Sequence, residues 1–173
     1  MGGDFGPAVT VPAAVAVAER QPVNLLLIGD EQQIHPLLEI SAGRAGHIEV
    51  LHTPDKLSNL IKPENALRGH RNSSMYLAVE QVQLKQAQAC VSAGNSGALM
   101  LIARHLLKTI PGIIRPAMLA RIPVSGGKCA WLLDVGAHIN SSAEELFQFA
   151  LMGAELAAAS LTAVQRVGLL NIG

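Results

Sequence analysis

Short apolar runs that stop at glycine or aspartate alternate with longer helix-like segments, and this alternation constrains the fold of the chain most. The run Val23 to Ile28 ends at Gly29-Asp30, and the run Ile48 to His52 follows after one helix-like segment. A short apolar run bounded by turn residues is typical of a buried strand. Strands that alternate with helices imply a mostly parallel sheet with helices on its faces. The pattern therefore predicts the α/β class.

The predicted elements follow from hydrophobic periodicity, helix-capping residues and turn residues. Helices are predicted at residues 7–20, 31–41, 73–86, 98–108 and 141–160. Strands are predicted at residues 23–28, 48–52, 89–92, 117–124, 129–135 and 167–172. The glycine-rich link at 125–128 is a hairpin signal, so one strand pair is expected to be antiparallel. The polar stretch 54–72 is expected to be the least ordered part of the chain.

Composition excludes several classes of function. The 173 residues carry 13 basic and 13 acidic side chains, so the formal net charge is zero, which argues against a nucleic-acid-binding protein. The aromatic residues are three Phe, one Trp and one Tyr, too few for a base-stacking surface. Cys90 and Cys129 lie in apolar runs and are interpreted as buried thiols. No Cys/His spacing typical of zinc occurs, so no metal site is predicted.

The loop Ser92-Ala93-Gly94-Asn95-Ser96-Gly97 is the most informative segment. It joins a predicted strand directly to a predicted helix, and open α/β sheets bind ligands at the carboxyl ends of their strands. Its glycines allow close approach of the backbone, and the helix-start amides, with Asn95 and Ser96, form a seat for phosphate or another oxyanion. The alternative is a tight turn in which Asn95 or Ser96 only caps the helix. Spacing alone leaves both interpretations open.

The best-known nucleotide and nucleophile motifs are absent from the sequence. It contains no GxxxxGK[ST] loop, no GxGxxG after a strand and no GxSxG elbow. Nothing marks a histidine and acid partnership with Ser96, so an acyl-serine intermediate is not expected. Further candidate carboxylates follow strands or open the chain, namely Asp4, Asp30 and Asp134. Each of them either orients a ligand or caps its own loop.

The neutral total conceals a strong segregation of charge. No acidic residue lies between Glu80 and Asp134. That basic stretch contains Lys85, Arg104, Lys108, Arg115, Arg121 and Lys128. From Asp134 to Glu155 the sign reverses. A run of one sign is usually a solvated face, but the basic stretch surrounds the Ser92–Gly97 loop and so favours an anionic ligand or an acidic partner.

A series of motifs in fixed order resembles the PlsX family, the phosphate acyltransferases of bacterial phospholipid synthesis. The motifs are MGGDFGP, LIGD, NSSM, VSAGNSGALM, PGIIRPAM, LLDVGA and GLLNIG, and together they extend over residues 1–173. The resemblance implies a three-layer α/β/α sandwich with a mostly parallel sheet, similar to isocitrate dehydrogenases and phosphotransacetylases. It also implies that residues 1–173 are the N-terminal portion of a single domain of this type, without its C-terminal part.

The resemblance also implies a reaction. The family transfers a fatty acyl group from acyl carrier protein to inorganic phosphate, and a membrane acyltransferase uses the acyl phosphate that results. Phosphate is the nucleophile, so no protein nucleophile is needed. The implied protein is a cytoplasmic homodimer without a cofactor or a nucleic-acid partner, with the inner face of the membrane as a further contact. Two alternatives stay open: a non-catalytic module that binds acyl carrier protein, and a phosphotransacetylase that uses coenzyme A thioesters.

The site residues carried over from the resemblance fall into two groups. The predicted catalytic residues are Asn95, Ser96 and Asp134. The predicted substrate-binding residues are Gly2, Gly3, Asp4, Gly94, Gly97, Arg115, Lys128 and Gly136. We expect Asn95 and Ser96 to bind phosphate or the developing oxyanion, Arg115 or Lys128 to supply charge, and Asp134 to orient the cleft. Many family members have Asn where this chain has His138, so no role is assigned to that residue.

Overall fold

The computed structural model describes residues 2–40, 47–127, 129–138, 140–160 and 166–170. The chain divides into two compact units, Met1–Lys108 and Thr109–Gly173. The first unit contains α1 (Pro7–Arg20), β1 (Leu25–Gly29), α2 (Glu31–Ile40), β2 (Ile48–His52), α3 (Ser74–Gln83) and α4 (Ser96–Leu107). The second contains β3 (Leu119–Pro123), β4 (Cys129–Leu133) and α5 (Ala143–Ser160). Single turns of 3-10 helix occur at Pro63–Asn65 and Ser125–Gly127.

A parallel strand pair lies at the centre of the first unit. Leu25 of β1 is opposite Ile48 of β2, and Gly29 is opposite His52. Helices α1 and α3 contact β1, and α2 contacts β2. Parallel strands covered by helices confirm the predicted α/β class. The strands in the described part of the chain form two-stranded ladders, so the three-layer sandwich stays a prediction.

The hydrophobic core of the first unit lies between α3 and α4. Val79 on α3 and Ile102 on α4 are almost inaccessible to solvent and belong to one cluster of buried side chains. Leu57 and Ala66 join the same cluster from the stretch 54–72. That stretch contains one 3-10 turn and no longer element, but it is better packed than its polar composition predicts, because these two apolar side chains fix it to the core.

Local capping signals define where several helices begin. The hydroxyl of Ser73 accepts a hydrogen bond from the Tyr76 amide at the start of α3. Ser142 and Glu145 form a capping box at the start of α5: the Glu145 amide donates to the Ser142 hydroxyl, and the Ser142 amide donates to the Glu145 carboxylate. Helix α3 ends earlier than predicted, at Gln83, because Lys85 adopts a left-handed φ of 60°.

Two predicted strands differ from the structure. The segment 89–92 is irregular, and Val91 is 95% exposed. Residues 166–170 are also irregular, whereas the rest of the strand predicted at 167–172 falls outside the described residues. A strand is stabilised by hydrogen bonds to a neighbour, and no strand in the described ranges pairs with either segment. Apolar composition predicted these strands, but pairing decides whether they form.

The predicted antiparallel hairpin is confirmed in the second unit. β3 pairs with β4 so that Arg121 is opposite Trp131, and the Arg121 guanidinium lies 5.8 Å from the centroid of the Trp131 ring. Helix α5 contacts β4. Gly153 permits this contact, since a Cβ there would lie 3.0 Å from Cδ1 of Leu133.

Two further predictions concern apolar segments. The thiols of Cys90 and Cys129 are free and half-buried, and burial raises the pKa of the Cys90 thiol. None of the helices in the described part of the chain has the length and apolarity needed to cross a membrane. The helix predicted at 141–160 is present as α5, Ala143–Ser160.

Candidate functional site

The N-terminal loop packs against the loop that leads into α4. A Cβ on Gly2 would lie 3.2 Å from both the Cα and the amide nitrogen of Gly94. Gly3 has a left-handed φ of +87°, and a Cβ there would lie 3.1 Å from the Cβ of Ala93. Gly2 and Gly3, both predicted to bind substrate, therefore allow two glycine-rich loops to touch. These loops also border a cavity of about 150 Å³ whose other walls are largely apolar.

Gly94 and Gly97 allow close contacts between the Ser92–Gly97 loop and neighbouring side chains. A Cβ on Gly94 would lie 2.7 Å from Cε of Met75, and one on Gly97 would lie 2.8 Å from Cγ of Pro63. The end of a methionine side chain can move aside, whereas a proline ring is held by its own backbone. Position 97 is therefore the more restrictive of the two, and both glycines have a packing role.

The side chain of Asn95 is committed to the backbone of its own unit. Its Nδ2 donates to the carbonyl oxygens of Asn59 and Ile61, at 3.0 and 3.2 Å. Its Oδ1 accepts from the Ala98 amide at 2.9 Å and caps α4. Both amide hydrogens therefore have protein acceptors. The geometry gives Asn95 a positioning role and favours the capping alternative, while direct catalysis by Asn95 stays a prediction.

Ser96 offers the polar groups that Asn95 does not. It is exposed at the first position of α4, and its hydroxyl makes no hydrogen bond within the described chain. Asn95 already binds the Ala98 and Leu99 amides. The Ser96 and Gly97 amides lie in the first turn of α4, where the amides of an α-helix have no acceptor within the helix. A hydroxyl and two amides at the positive end of a helix can bind an oxyanion.

Asn59, which the sequence did not indicate as a candidate, contacts two segments of the candidate site. Its Nδ2 donates to Oδ1 of Asp4 at 3.2 Å, while its carbonyl oxygen accepts from Asn95. Asn59 thus links the N-terminal loop to the start of α4. No motif marks it, because its contacts depend on how the stretch 54–72 folds back over residues distant in sequence.

Asp134 organises the loop that follows β4 in the second unit. Its carboxylate accepts from the Met118 amide at 2.7 Å and from the His138 amide at 2.9 Å. Its Oδ2 also lies 3.1 Å from Nδ1 of His138. The Asp134 side chain is only 6% exposed and that of His138 is 13% exposed. These contacts favour the alternative in which Asp134 caps its own loop, and the catalytic role of Asp134 stays a prediction. Gly136, with φ of 102°, provides the left-handed turn within the loop.

His138, to which the sequence assigned no role, is held on two sides. Its ring stacks on Phe149 of α5, with 6.1 Å between the centroids and an interplanar angle of 20°. Asp134 contacts its Nδ1. His138 therefore links the loop after β4 to α5. In the sequence, position 138 stood out only because its residue differs from the usual family residue. The contact with Phe149 depends on the fold and could not be predicted.

Arg115 is fixed to α5 by one of its three guanidinium nitrogens. Its Nε donates to Oε1 of Glu145 at 3.0 Å, and the Arg115 side chain is 41% exposed. The hydrogen bond from the Ser142 amide lowers the pKa of Glu145, against the effect of burial, and the charges of Arg115 and His138 lower it further. Arg115 therefore faces an ionised carboxylate, and its two terminal nitrogens make no ion pair with a described residue.

The predicted site residues form two groups, one in each unit. The first unit holds Gly2, Gly3, Asp4, Gly94, Asn95, Ser96 and Gly97. The second holds Arg115, Asp134 and Gly136. Lys128, the other predicted source of charge, lies outside the described residues. Within the described ranges, His, Cys, Asp and Glu side chains form no group of three or more that could hold a metal ion.

The packing of the two glycine-rich loops can be tested at Gly3. Gly3→Ala should lower the free energy of unfolding by about 1–2 kcal/mol because an alanine is strained at this φ. Contact with Ala93 should add to the loss. Gly69→Ala is the matched control, because Gly69 has a similar φ of +73° but open space around its Cβ position. Urea unfolding should give a larger loss for Gly3→Ala, and equal losses would contradict the loop contact.

The fold and the site define an α/β protein with a glycine-rich loop that opens a helix. Comparison with known families then narrows this class. The profile of the fatty acid synthesis protein family matches residues 1–173, and the chain belongs to that family.

Curated relatives support the same assignment over the whole chain. The phosphate acyltransferase of Vibrio parahaemolyticus is 46% identical over 175 residues. Those of Vibrio cholerae and Nitrosococcus oceani are 47% and 49% identical, over 175 and 176 residues. Each alignment covers 100% of this chain but only 51–52% of the relative. The chain thus spans about half the length of these relatives.

Proposed function

We propose that the protein transfers a fatty acyl group from acyl carrier protein to inorganic phosphate and so makes acyl phosphate for phospholipid synthesis. The observation that carries the proposal is the match of the whole chain to the fatty acid synthesis family and to relatives named phosphate acyltransferase. In this reaction a phosphate oxygen attacks the thioester carbonyl carbon. The carbon–sulfur bond breaks, and the thiolate of the carrier protein leaves and takes up a proton.

The start of α4 suits this chemistry. Phosphate supplies the nucleophile, so the protein must hold an anion and stabilise the charge that develops on the carbonyl oxygen. We assign these tasks to the Ser96 hydroxyl and to the amides of Ser96 and Gly97. Asn95 holds this group in place through its bonds to Ala98 and to the stretch 54–72. The absence of a protein nucleophile motif is consistent with such a mechanism.

Basic side chains in both units suit the anionic substrates of the proposed reaction. Arg115 has two terminal nitrogens that form no ion pair with a described residue, and it would bind an anionic substrate group, while Asp134 orients the loop after β4. Lys85, Arg104 and Lys108 are exposed in the first unit and suit an acidic partner such as acyl carrier protein. The proposal includes a cytoplasmic homodimer that hands its product to a membrane acyltransferase.

Ser96→Ala tests the proposed site in the natural protein that contains residues 1–173. Loss of a hydrogen bond to an anionic substrate should raise the KM for phosphate about tenfold or more. Stability should hardly change, because the hydroxyl is exposed. Ser125→Ala, at an exposed serine in the hairpin turn, is the matched control, and Ser96→Thr should keep most activity. An unchanged phosphate KM in Ser96→Ala would remove Ser96 from the site.

A further inference from the structure

We propose that Gln148 and Glu145 on α5 are positioning residues that hold the loop 112–115 and aim the guanidinium of Arg115. The inference rests on the proposed function, in which Arg115 binds an anionic substrate group. Neither residue was a candidate in the sequence. Their assignment comes from their contacts with the loop that precedes β3.

Gln148 binds this loop at two points. Its Oε1 accepts from the Ile114 amide at 2.8 Å, and its Nε2 donates to the Gly112 carbonyl oxygen at 2.9 Å. The same Nε2 lies 3.3 Å from Oε1 of Glu144. Gln148 is only 5% exposed, so these bonds form with little competition from water. One buried amide therefore fixes the backbone on both sides of Ile113, two residues before Arg115.

Glu145 fixes the side chain of Arg115 itself. It lies three residues before Gln148 on α5, so the two side chains project from the same face of the helix. Its Oε1 accepts from Nε of Arg115, and its Oε2 accepts from the Ser142 amide. Both carboxylate oxygens are engaged, which fixes the orientation of the carboxylate. The bond uses Nε on one edge of the planar guanidinium, so the N–H groups at its end and on its other edge stay available for an anion.

Apolar burial does little to hold this loop. Ile110 is 71% exposed and Ile114 is 47% exposed, and Gly112 has a left-handed φ of +87°. Loops with few buried apolar contacts open easily. The polar contacts from α5 are therefore the main restraint on the loop, and without them Arg115 would sample many orientations. Holding it in advance reduces the entropy lost when an anion binds.

The test compares four variants of the natural protein that contains residues 1–173, with inorganic phosphate as the varied substrate. Arg115→Ala removes the guanidinium, Gln148→Ala removes the backbone bonds, and Glu145→Gln removes the charge at nearly constant size. Glu155→Gln, at an exposed position on the same helix, is the matched control. Initial rates give kcat and the phosphate KM separately, and circular dichroism shows that each variant is folded.

We expect the variants on α5 to change the phosphate KM but not kcat. Gln148→Ala and Glu145→Gln should each raise the phosphate KM about five- to tenfold and leave kcat within about twofold, since they disturb binding and leave the guanidinium in place. Arg115→Ala should raise it more, and Glu155→Gln should change nothing. If Gln148→Ala does not fold, Glu145→Gln and Gln148→Glu, which keeps the acceptor for Ile114, provide the same comparison.

Two outcomes overturn the inference and are distinguishable from each other. A raised phosphate KM in Arg115→Ala with an unchanged KM in both α5 variants would leave the proposed function standing and reject the positioning role. An unchanged KM in Arg115→Ala would reject both the role of Arg115 and its positioning. Failure of the proposed function itself looks different, because the unmodified protein would then show no phosphate-dependent activity at all.

Discussion

Asp134→Ala is expected to lower the free energy of unfolding of the second unit by about 3 kcal/mol, the largest effect on stability that we predict. The substitution leaves the amides of Met118 and His138 without their acceptor. Each buried donor that loses its acceptor costs about 1–3 kcal/mol. The contact to Nδ1 of His138 is lost as well. Urea unfolding followed by circular dichroism measures the change.

Two further variants sharpen the Asp134 prediction. Asp134→Asn keeps one carbonyl oxygen as an acceptor but turns an amide group toward a second donor, so its loss should be intermediate. Asp55→Ala is the control at an exposed aspartate and should change the free energy of unfolding by about 0.5 kcal/mol or less. Equal, small losses in Asp134→Ala and Asp55→Ala would mean that the carboxylate does not hold the loop after β4.

Arg115→Ala is expected to have the largest effect on activity among the predicted substitutions, with the phosphate KM raised about 30-fold. A hydrogen bond to a charged group contributes about 1.5–3 kcal/mol, which corresponds to about 10- to 100-fold in binding. Arg115→Lys should recover only part of this loss in phosphate binding. Lysine has a single nitrogen in place of the planar guanidinium, so it cannot bond to Glu145 and present further nitrogens to phosphate at the same time. Steady-state rates at varied phosphate measure both variants.

Arg121→Ala is the matched control for Arg115. Arg121 lies on β3 of the same unit and carries the same charge, but its guanidinium lies over Trp131. Its removal should leave the phosphate KM nearly unchanged. If Arg121→Ala and Arg115→Ala raise the KM equally, the effect comes from general charge around the site, and the assignment to Arg115 is wrong.

Local signals explain which parts of the fold were predictable. α1 and β2 have the predicted bounds, because a periodic apolar pattern and nearby turn residues define each of them. The capping box of α5 needs only Ser142 and Glu145, three residues apart. The strand predicted at 89–92 depended on a partner elsewhere in the chain, and sequence pattern does not report the partner.

In the candidate site too, residues marked by a local sequence pattern could be predicted, whereas contacts between distant segments could not. The sequence identified Asn95 and Asp134 because both follow apolar runs and precede turns, but it left open whether they bind a ligand or cap a loop. The structure shows backbone contacts at both positions, and ligand binding by either residue stays a prediction. Asn59 and Gln148 escaped prediction, because they contact residues 34 to 55 positions away in the chain.

The central claim is phosphate-dependent acyl transfer, and product formation by the natural protein that contains residues 1–173 tests it most directly. The protein is mixed with acyl carrier protein loaded with palmitate, with and without inorganic phosphate. Release of the carrier thiol is followed without any added nucleophile, and acyl phosphate is separated from the thioester and identified by mass spectrometry. We predict equal amounts of free thiol and acyl phosphate, both dependent on phosphate. Binding of the carrier without thiol release, or activity only with palmitoyl-coenzyme A, would contradict the account.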